Sequence, residues 1–258
     1  KGKTLWTDRG EGEQVIIKTT FNEGDEANFV IGDIMMNYNR GANWRDHAIL
    51  YRMNAQSNQM ETACKRNGIP YRIIGGTRFF DRAEVKDMLS YLCVVNNRTD
   101  DLRLRRIINN PPRGLGTKTI ETAERLAAAE GKGLYKVVSD PDSYAPLEKS
   151  AAKFKQFSSM IDDLETLLDD GMSLPEFYDE VLIRTGYVAM LEGKPTEENK
   201  TRLENVRELK SSINAYVQNA EFPTLAGFLE EIALYTDIEE YDDADDAVVM
   251  MTMHTAKG

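Results

Sequence analysis

Four short stretches of this chain gather residue types able to hold a phosphate or a base. From Pro111 to Lys118 the order Pro-Pro-Arg-Gly-Leu-Gly-Thr-Lys sets Gly114 and Gly116 between Arg113 and Lys118, ahead of a helical pattern. Glycines let a backbone approach a ligand closely, and Thr117 as a helix cap would leave outward N–H groups at a positive dipole end. A DNA phosphate suits such an anion site, and contact of that kind is independent of base sequence. An ordinary Gly-rich turn between helices has the same pattern. A phosphate-binding P-loop it is not, because Thr117 separates Gly116 from Lys118 and no strand precedes it.

The second stretch is Arg52 and Asn54, just past the apolar run His47 to Tyr51. A guanidinium and an amide at the carboxyl end of a strand can meet phosphate or base; Arg52 paired with an acid and Asn54 capping a helix is the plain alternative. The third, Gly75 to Arg82, mixes glycines, Arg78, Phe79 and Phe80 on a loop suited to stacking on single-stranded bases, with both rings also eligible for the core. The fourth is the final run, Ala247 to Gly258, where Thr252 and His254 follow an apolar strand expected to be buried on both faces. Ligands bind at that end of open α/β sheets, although a single histidine is as readily structural. A helix should follow Gly258, so the chain is expected to be a piece of a larger enzyme.

Composition narrows the classes. At 258 residues and 41% hydrophobic, the chain can bury one large core or two small ones. A formal net charge of -11 argues against coating nucleic acid by bulk attraction and leaves room for a local basic strip. Cys64 and Cys93 fall on apolar helix faces and read as buried, reduced thiols, which fits a cytoplasmic setting. No apolar run approaches the ~18 residues of a membrane span. The acidic run Glu239 to Asp246 reads as a solvated linker rather than a metal site, since consecutive carboxylates repel.

The elements that must position these residues alternate at first. Gln14–Lys18 reads as a strand, 25–38 as a helix, His47–Arg52 as a strand, then a helix with Met60, Ala63 and Cys64 inward that stops at Asn67-Gly68. A strand over Ile69–Ile74 precedes Gly75, and Asp81-Arg82-Ala83-Glu84 is a capping-box pattern for a helix burying Val85, Met88, Leu89 and Leu92. From about Cys93 to Asp237 every periodic segment is helical, with Ser173-Leu174-Pro175-Glu176 a second capping box. The terminal strand has no sheet near it in sequence and must return to the first one. The expected fold is α/β plus all-α: an incomplete discontinuous parallel-sheet domain (1–92 and 247–258) around a helical insertion (93–246).

Five blocks, Leu50–Ser57, Gly75–Asp87, Pro112–Gly116, Thr201–Val206 and Met251–Gly258, in this order and at these separations, closely resemble the UvrD/PcrA/Rep family of superfamily 1 DNA helicases. Singly each block is weak, and together they are specific. The resemblance covers essentially the whole chain and implies part of the second RecA-like domain, 2A, with the helical 2B domain inserted. It implies that Arg52 and Asn54 contact single-stranded DNA and that the Gly114-Leu115-Gly116 turn, with Arg113, Thr117 and Lys118, touches duplex backbone. Thr252 and His254 would couple DNA to the nucleotide cleft. Arg78 and Phe79 are added as single-strand candidates from the residue types of the Gly75–Arg82 loop.

The parent would be an ATP-dependent, Mg²⁺-requiring 3′ to 5′ translocase of repair or replication. By that resemblance the P-loop, the Mg²⁺-binding acidic motif and the arginine fingers lie outside this chain, so no catalytic residue and no metal site are expected on it, and the isolated chain should not hydrolyse ATP. Its partners would be a DNA junction and domain 1A of the parent. Two other readings stand beside this one: a helical module that binds a protein such as RNA polymerase or a repair factor, and the helicase arm of a helicase-nuclease.

Overall fold

The computed structural model describes residue 8, residues 12–236 and residues 246–257. Within them lie three strands, eleven α-helices and several 3₁₀ turns. Helix α1 (Glu23–Asn39) begins where the Asn22 side chain accepts a 2.8 Å bond from the Asp25 amide, with Glu23, Asp25 and Glu26 in the first turn matching the dipole. It buries Ala27, Ile31 and Ile34. Strand β1 (Ala48–Tyr51), helix α2 (Ser57–Arg66) and strand β2 (Tyr71–Ile73) follow. Gly68, at φ +65°, turns the chain out of α2 as Asn67-Gly68 foretold.

The final strand, β3 (Val248–Thr252), lies in the middle of the sheet, in the order β1-β3-β2 with both pairings parallel. Ala48 faces Val249 and Tyr51 faces Thr252, while Tyr71 faces Val248. The return of the chain's last strand to its first sheet is thus realised. Side chains of α1 and α2 pack with Ile49, Tyr51, Tyr71, Val248 and Met250 into one apolar cluster. The expected burial on both faces is not realised: Val248 and Met250 are enclosed, but Val249 and Met251 are half-buried and Leu50 of β1 is exposed. α1 and α2 both pack against the buried side chains, leaving the alternate positions uncovered.

The expected strand at Gln14–Lys18 is a correction of the same origin. Those residues form no ladder, and Val15, Ile16 and Ile17 are exposed. A short apolar run alone does not make a strand, because the backbone groups need a partner edge and this segment pairs with none of the three strands.

A second, larger cluster holds the helical part. α3 (Ala83–Asn96), α4 (Asp101–Ile107), α5 (Thr117–Glu130), α6 (Leu134–Ser139), α7 (Ala151–Asp169), α8 (Leu174–Arg184), α9 (Tyr187–Glu192), α10 (Glu197–Asn219) and α11 (Leu225–Thr236) succeed one another with no strand among them. Their core runs from Phe79 and Phe80 through Val85, Met88 and Phe154 to Phe228. The change of core comes at Phe79, earlier than the change of rhythm near residue 92 suggests, since α3 packs its apolar face on helices downstream. The acidic run lies outside the described residues except for Asp246, whose carboxylate accepts a 2.9 Å bond from the Arg45 amide.

Both capping boxes are built differently from the pattern. Arg82, not Asp81, is the N-cap of α3, and the Asp81 carboxylate instead pairs with Lys86 at 2.7 Å. Ser173 does cap α8, but its hydroxyl donates to the Glu176 carboxylate at 2.6 Å rather than accepting from a backbone amide.

Candidate nucleic-acid interface

The carboxyl ends of the strands form one edge, and most of the single-strand candidates stand there. Tyr51 and Thr252 are register partners, and the Met253 amide donates to the Tyr51 carbonyl at 2.8 Å, so Arg52 and His254 leave adjacent strands in the same direction. The β2 end joins them. The Ile74 amide donates to the Met250 carbonyl at 2.9 Å, and Gly75, at φ +73°, lies so close to Thr255 that a Cβ there would come within 2.9 Å of its methyl. Glycine is required at that point both for the left-handed backbone and for the contact.

At this edge the backbone is fixed, and Arg52 and His254 are left outward. Gln56 Oε1 accepts from the amides of Arg52 and Met53, both at 3.0 Å, which fixes the turn. Arg52 is exposed and its guanidinium makes no ion pair among the described residues; Asn54 is half-buried and its side-chain amide is likewise unbonded there. Neither residue is used up by the plain alternative, because Gln56 does the local capping. The Thr252 hydroxyl accepts from the Thr255 amide at 3.1 Å and lies 3.0 Å from the Thr255 hydroxyl, closing the turn that exposes His254. A cavity of about 440 Å³ beside Arg52 is lined by Met53 and Met253 but also by Glu23, Glu26 and Glu208. Those carboxylates make the cavity itself unsuitable for phosphate.

Phe79 is a correction. Its ring is 0% exposed, stands edge-on to Phe80 at 5.2 Å and lies under the Arg82 guanidinium, so no face remains for a base. Its amide donates to the Glu61 carboxylate at 3.0 and 3.2 Å, pinning the loop to α2. Burial pushes the Glu61 carboxyl above its ordinary range, with the Ser57 hydroxyl, the Phe79 amide and the Arg82 charge opposing the shift only in part. Arg78 is engaged within the protein, at the start of the same 3₁₀ turn.

The Gly114 turn joins α4 to α5 and divides its residues into two kinds. Arg113 points inward. It donates to the carbonyls of Ile107 (2.9 Å), Ile108 (3.4 Å), Pro111 (3.2 Å) and Thr185 (3.2 Å) and to the Tyr91 hydroxyl (2.6 Å), and it lies over the Phe157 ring. A guanidinium so occupied is a structural tie, which corrects its expected phosphate contact. Thr117 is also reassigned: Gly116 is the N-cap of α5, and Thr117 is the first helical residue.

Other residues of the turn stay outward. Gly116, Thr117 and Lys118 are exposed, and the amides of Thr117 and Lys118 donate to nothing among the described residues. Lys153 of α7, which no motif singles out, donates to the Gly114 carbonyl at 2.7 Å and adds a cation to the turn. Asn109 Oδ1 accepts from the amides of Arg113 (2.8 Å) and Leu115 (3.1 Å) and sets the turn's shape. Both are distant enough from the glycines in sequence or type that no motif marks them.

The thiols are internal. Cys64 is fully buried, its pKa pushed up to about 12 mainly by desolvation, and Cys93 is partly buried with its pKa also raised. Among the described residues no group of three or more His, Cys, Asp or Glu side chains is placed to hold a metal ion, and no helix is long and apolar enough to cross a membrane.

Comparison with known proteins agrees with this architecture. The family described as the UvrD-like helicase C-terminal domain matches residues 1–258. The chain is 38% identical over 260 residues to the ATP-dependent DNA helicase PcrA of Staphylococcus aureus (strain NCTC 8325 / PS 47), an alignment that covers 100% of this chain and 35% of the relative. It is 37% identical over 265 residues to PcrA of Bacillus subtilis (strain 168), covering 100% of this chain and 36% of that protein. It therefore spans about a third of the length of the relatives it matches. With its whole length matched, the chain belongs to the UvrD-like helicase C-terminal domain family.

Proposed function

We propose that this chain is the part of an ATP-dependent DNA helicase that grips single-stranded DNA along the carboxyl edge of its sheet and meets duplex backbone at the Gly114 turn. The observation that carries this is the register of β1 against β3, which brings Arg52, Asn54, Thr252 and His254 to one edge from positions two hundred residues apart. Exposed heads at Arg52 and His254, with a half-buried amide at Asn54, unbonded among the described residues, between fixed backbones, suit a strand that must be held and then released. ATP and Mg²⁺ would be bound by other parts of the parent, whose domain 1A would close on this edge during 3′ to 5′ movement in the cytoplasm. The α/β cluster corresponds to domain 2A and the helical cluster to domain 2B. The chain alone would not turn over ATP.

Salt-titrated binding of a labelled oligothymidylate tests the grip. Arg52→Ala should lower the slope of log affinity against log salt by about 0.7, the share of one single-strand phosphate. An unchanged slope would remove Arg52 from the path. A second reading, docking of a protein on the helical part, draws on a groove of about 490 Å³ between α3, α4 and α11, lined by Leu89, Leu102 and Leu229. Asp81, Lys86, Arg103 and Arg106 line the same groove, so binding there would keep a shallow salt dependence, whereas the phosphate grip weakens steeply.

A further inference from the structure

Arg82 is the most heavily shared polar group behind the single-strand edge. Its guanidinium is almost wholly buried and donates to the carbonyl of Asn54 at 3.0 Å, to the Ser57 hydroxyl at 2.8 Å and to the Asn205 side-chain oxygen at 2.8 Å. The Ser57 hydroxyl donates to the same Asn54 carbonyl at 2.9 Å. Asn205 stands on α10, is itself buried, and spends its amide nitrogen on the Glu84 carboxylate at 2.6 Å. One chain of bonds therefore runs from Glu84 through Asn205 and Arg82 to the backbone of Asn54. Half of it belongs to the helical part and half to the turn that carries the proposed grip.

We infer that Asn205 is a positioning residue for single-strand binding, holding Arg82 so that the Asn54 carbonyl is fixed and the Asn54 side chain is presented to DNA. The Ser57 hydroxyl holds Nη2 and the Thr77 carbonyl (3.4 Å) holds Nε, whereas Nη1 is shared between Asn205 and the Asn54 carbonyl, so loss of Asn205 leaves that buried donor half-made and loosens its hold on Asn54. Helix α10 is thereby tied to the DNA edge by side chains. This rests on the grip proposed above, and the experiment separates the two.

The 258-residue chain is titrated with labelled oligothymidylate at pH 8 as wild type, Asn54→Ala, Asn205→Ala, the double alanine variant, and the exchange Asn205→Asp with Glu84→Gln. Asn54→Ala and Asn205→Ala should each weaken binding about fivefold, the worth of one neutral hydrogen bond, and the double variant should lose no more than about twofold beyond either. The exchange keeps one carboxylate and one amide, so the new carboxylate accepts from Arg82 and from the new amide, and affinity should return to within about twofold of wild type. A merely structural role would not yield rescue combined with non-additivity at Asn54. Unweakened Asn54→Ala defeats the grip itself. A weakened Asn54→Ala with an unaffected Asn205→Ala, or single losses that multiply to about twenty-five-fold, overturns the positioning role alone. If Asn205→Ala does not fold, Asn205→Asp alone should bind weakly because two carboxylates then face each other, and wild-type affinity in that single variant would overturn the inference.

Discussion

Arg113 and Lys118 bracket one turn, and the structure gives them opposite consequences. Replacing Arg113 by alanine removes a guanidinium that ties four carbonyls and the Tyr91 hydroxyl together over the Phe157 ring. Each bond from a charged donor is worth about 1.5–3 kcal/mol net, but the three from Nη1 share one nitrogen and count for about one. Water can reach part of the vacated space, because Arg113 is only half-buried. The loss should be about 3 kcal/mol, or about 6–12 °C in melting temperature for a chain of this size. Lysine should not restore it, since a single ammonium cannot reach carbonyls spread around a planar fork. Lys118 is exposed. Its removal should move the melting point by no more than about 2 °C while lowering the duplex salt slope by about 0.9. Thermal denaturation by circular dichroism and salt-titrated duplex binding read the two effects. An Arg113→Ala protein that melts within about 2 °C of wild type refutes the structural assignment of that residue.

Glu61 should shape the pH dependence of stability. Its folded pKa is raised by burial, so its contribution is full below the ordinary glutamate value of 4.5 and is lost as pH rises through the elevated folded value. Glu61→Gln, which mimics the protonated carboxyl, should flatten the melting-temperature profile over that rise, and an identical profile would contradict it. Met250→Ala, in the central strand, should cost about 2–5 kcal/mol by cavity formation, measured by urea unfolding; a loss below about 1 kcal/mol would mean that β3 is not the middle of the sheet. Cys64, buried and with its pKa near 12, should resist a disulfide reagent at pH 8 until the chain is unfolded. Rapid labelling of Cys64 in the native protein would show that α2 is not packed as described.

Periodicity made most of the elements legible: α1, β1, α2, β2 and α3 stand where apolar spacing puts them, and the described elements from there to α11 are helical as the spacing requires. The return of β3 to the first sheet followed from the cost of an unpaired apolar strand, an argument that needs no template. Local reasoning failed where a residue's role depends on something far away in sequence. Val15 to Ile17 has a strand's composition but no neighbouring edge. Helices α6 and α9, each of six residues, are too short to declare a period. Arg113 and Phe79 carry the right chemistry for DNA, yet Thr185, Phe157 and Glu61 claim them from elsewhere in the chain. Arg82 and Asn205 lie inside recognisable blocks, but only the fold reveals that they touch.

Photo-crosslinking tests the shared single-strand path most directly. An oligonucleotide substituted with a photoreactive pyrimidine is bound to the chain and irradiated, and the modified peptides are located by mass spectrometry. Adducts should fall within residues 52–57, 74–78 and 252–257, the three segments that leave the sheet at its carboxyl edge. Adducts confined to the helices from α4 onward, with none at Arg52, Asn54 or His254, would contradict the single-strand grip.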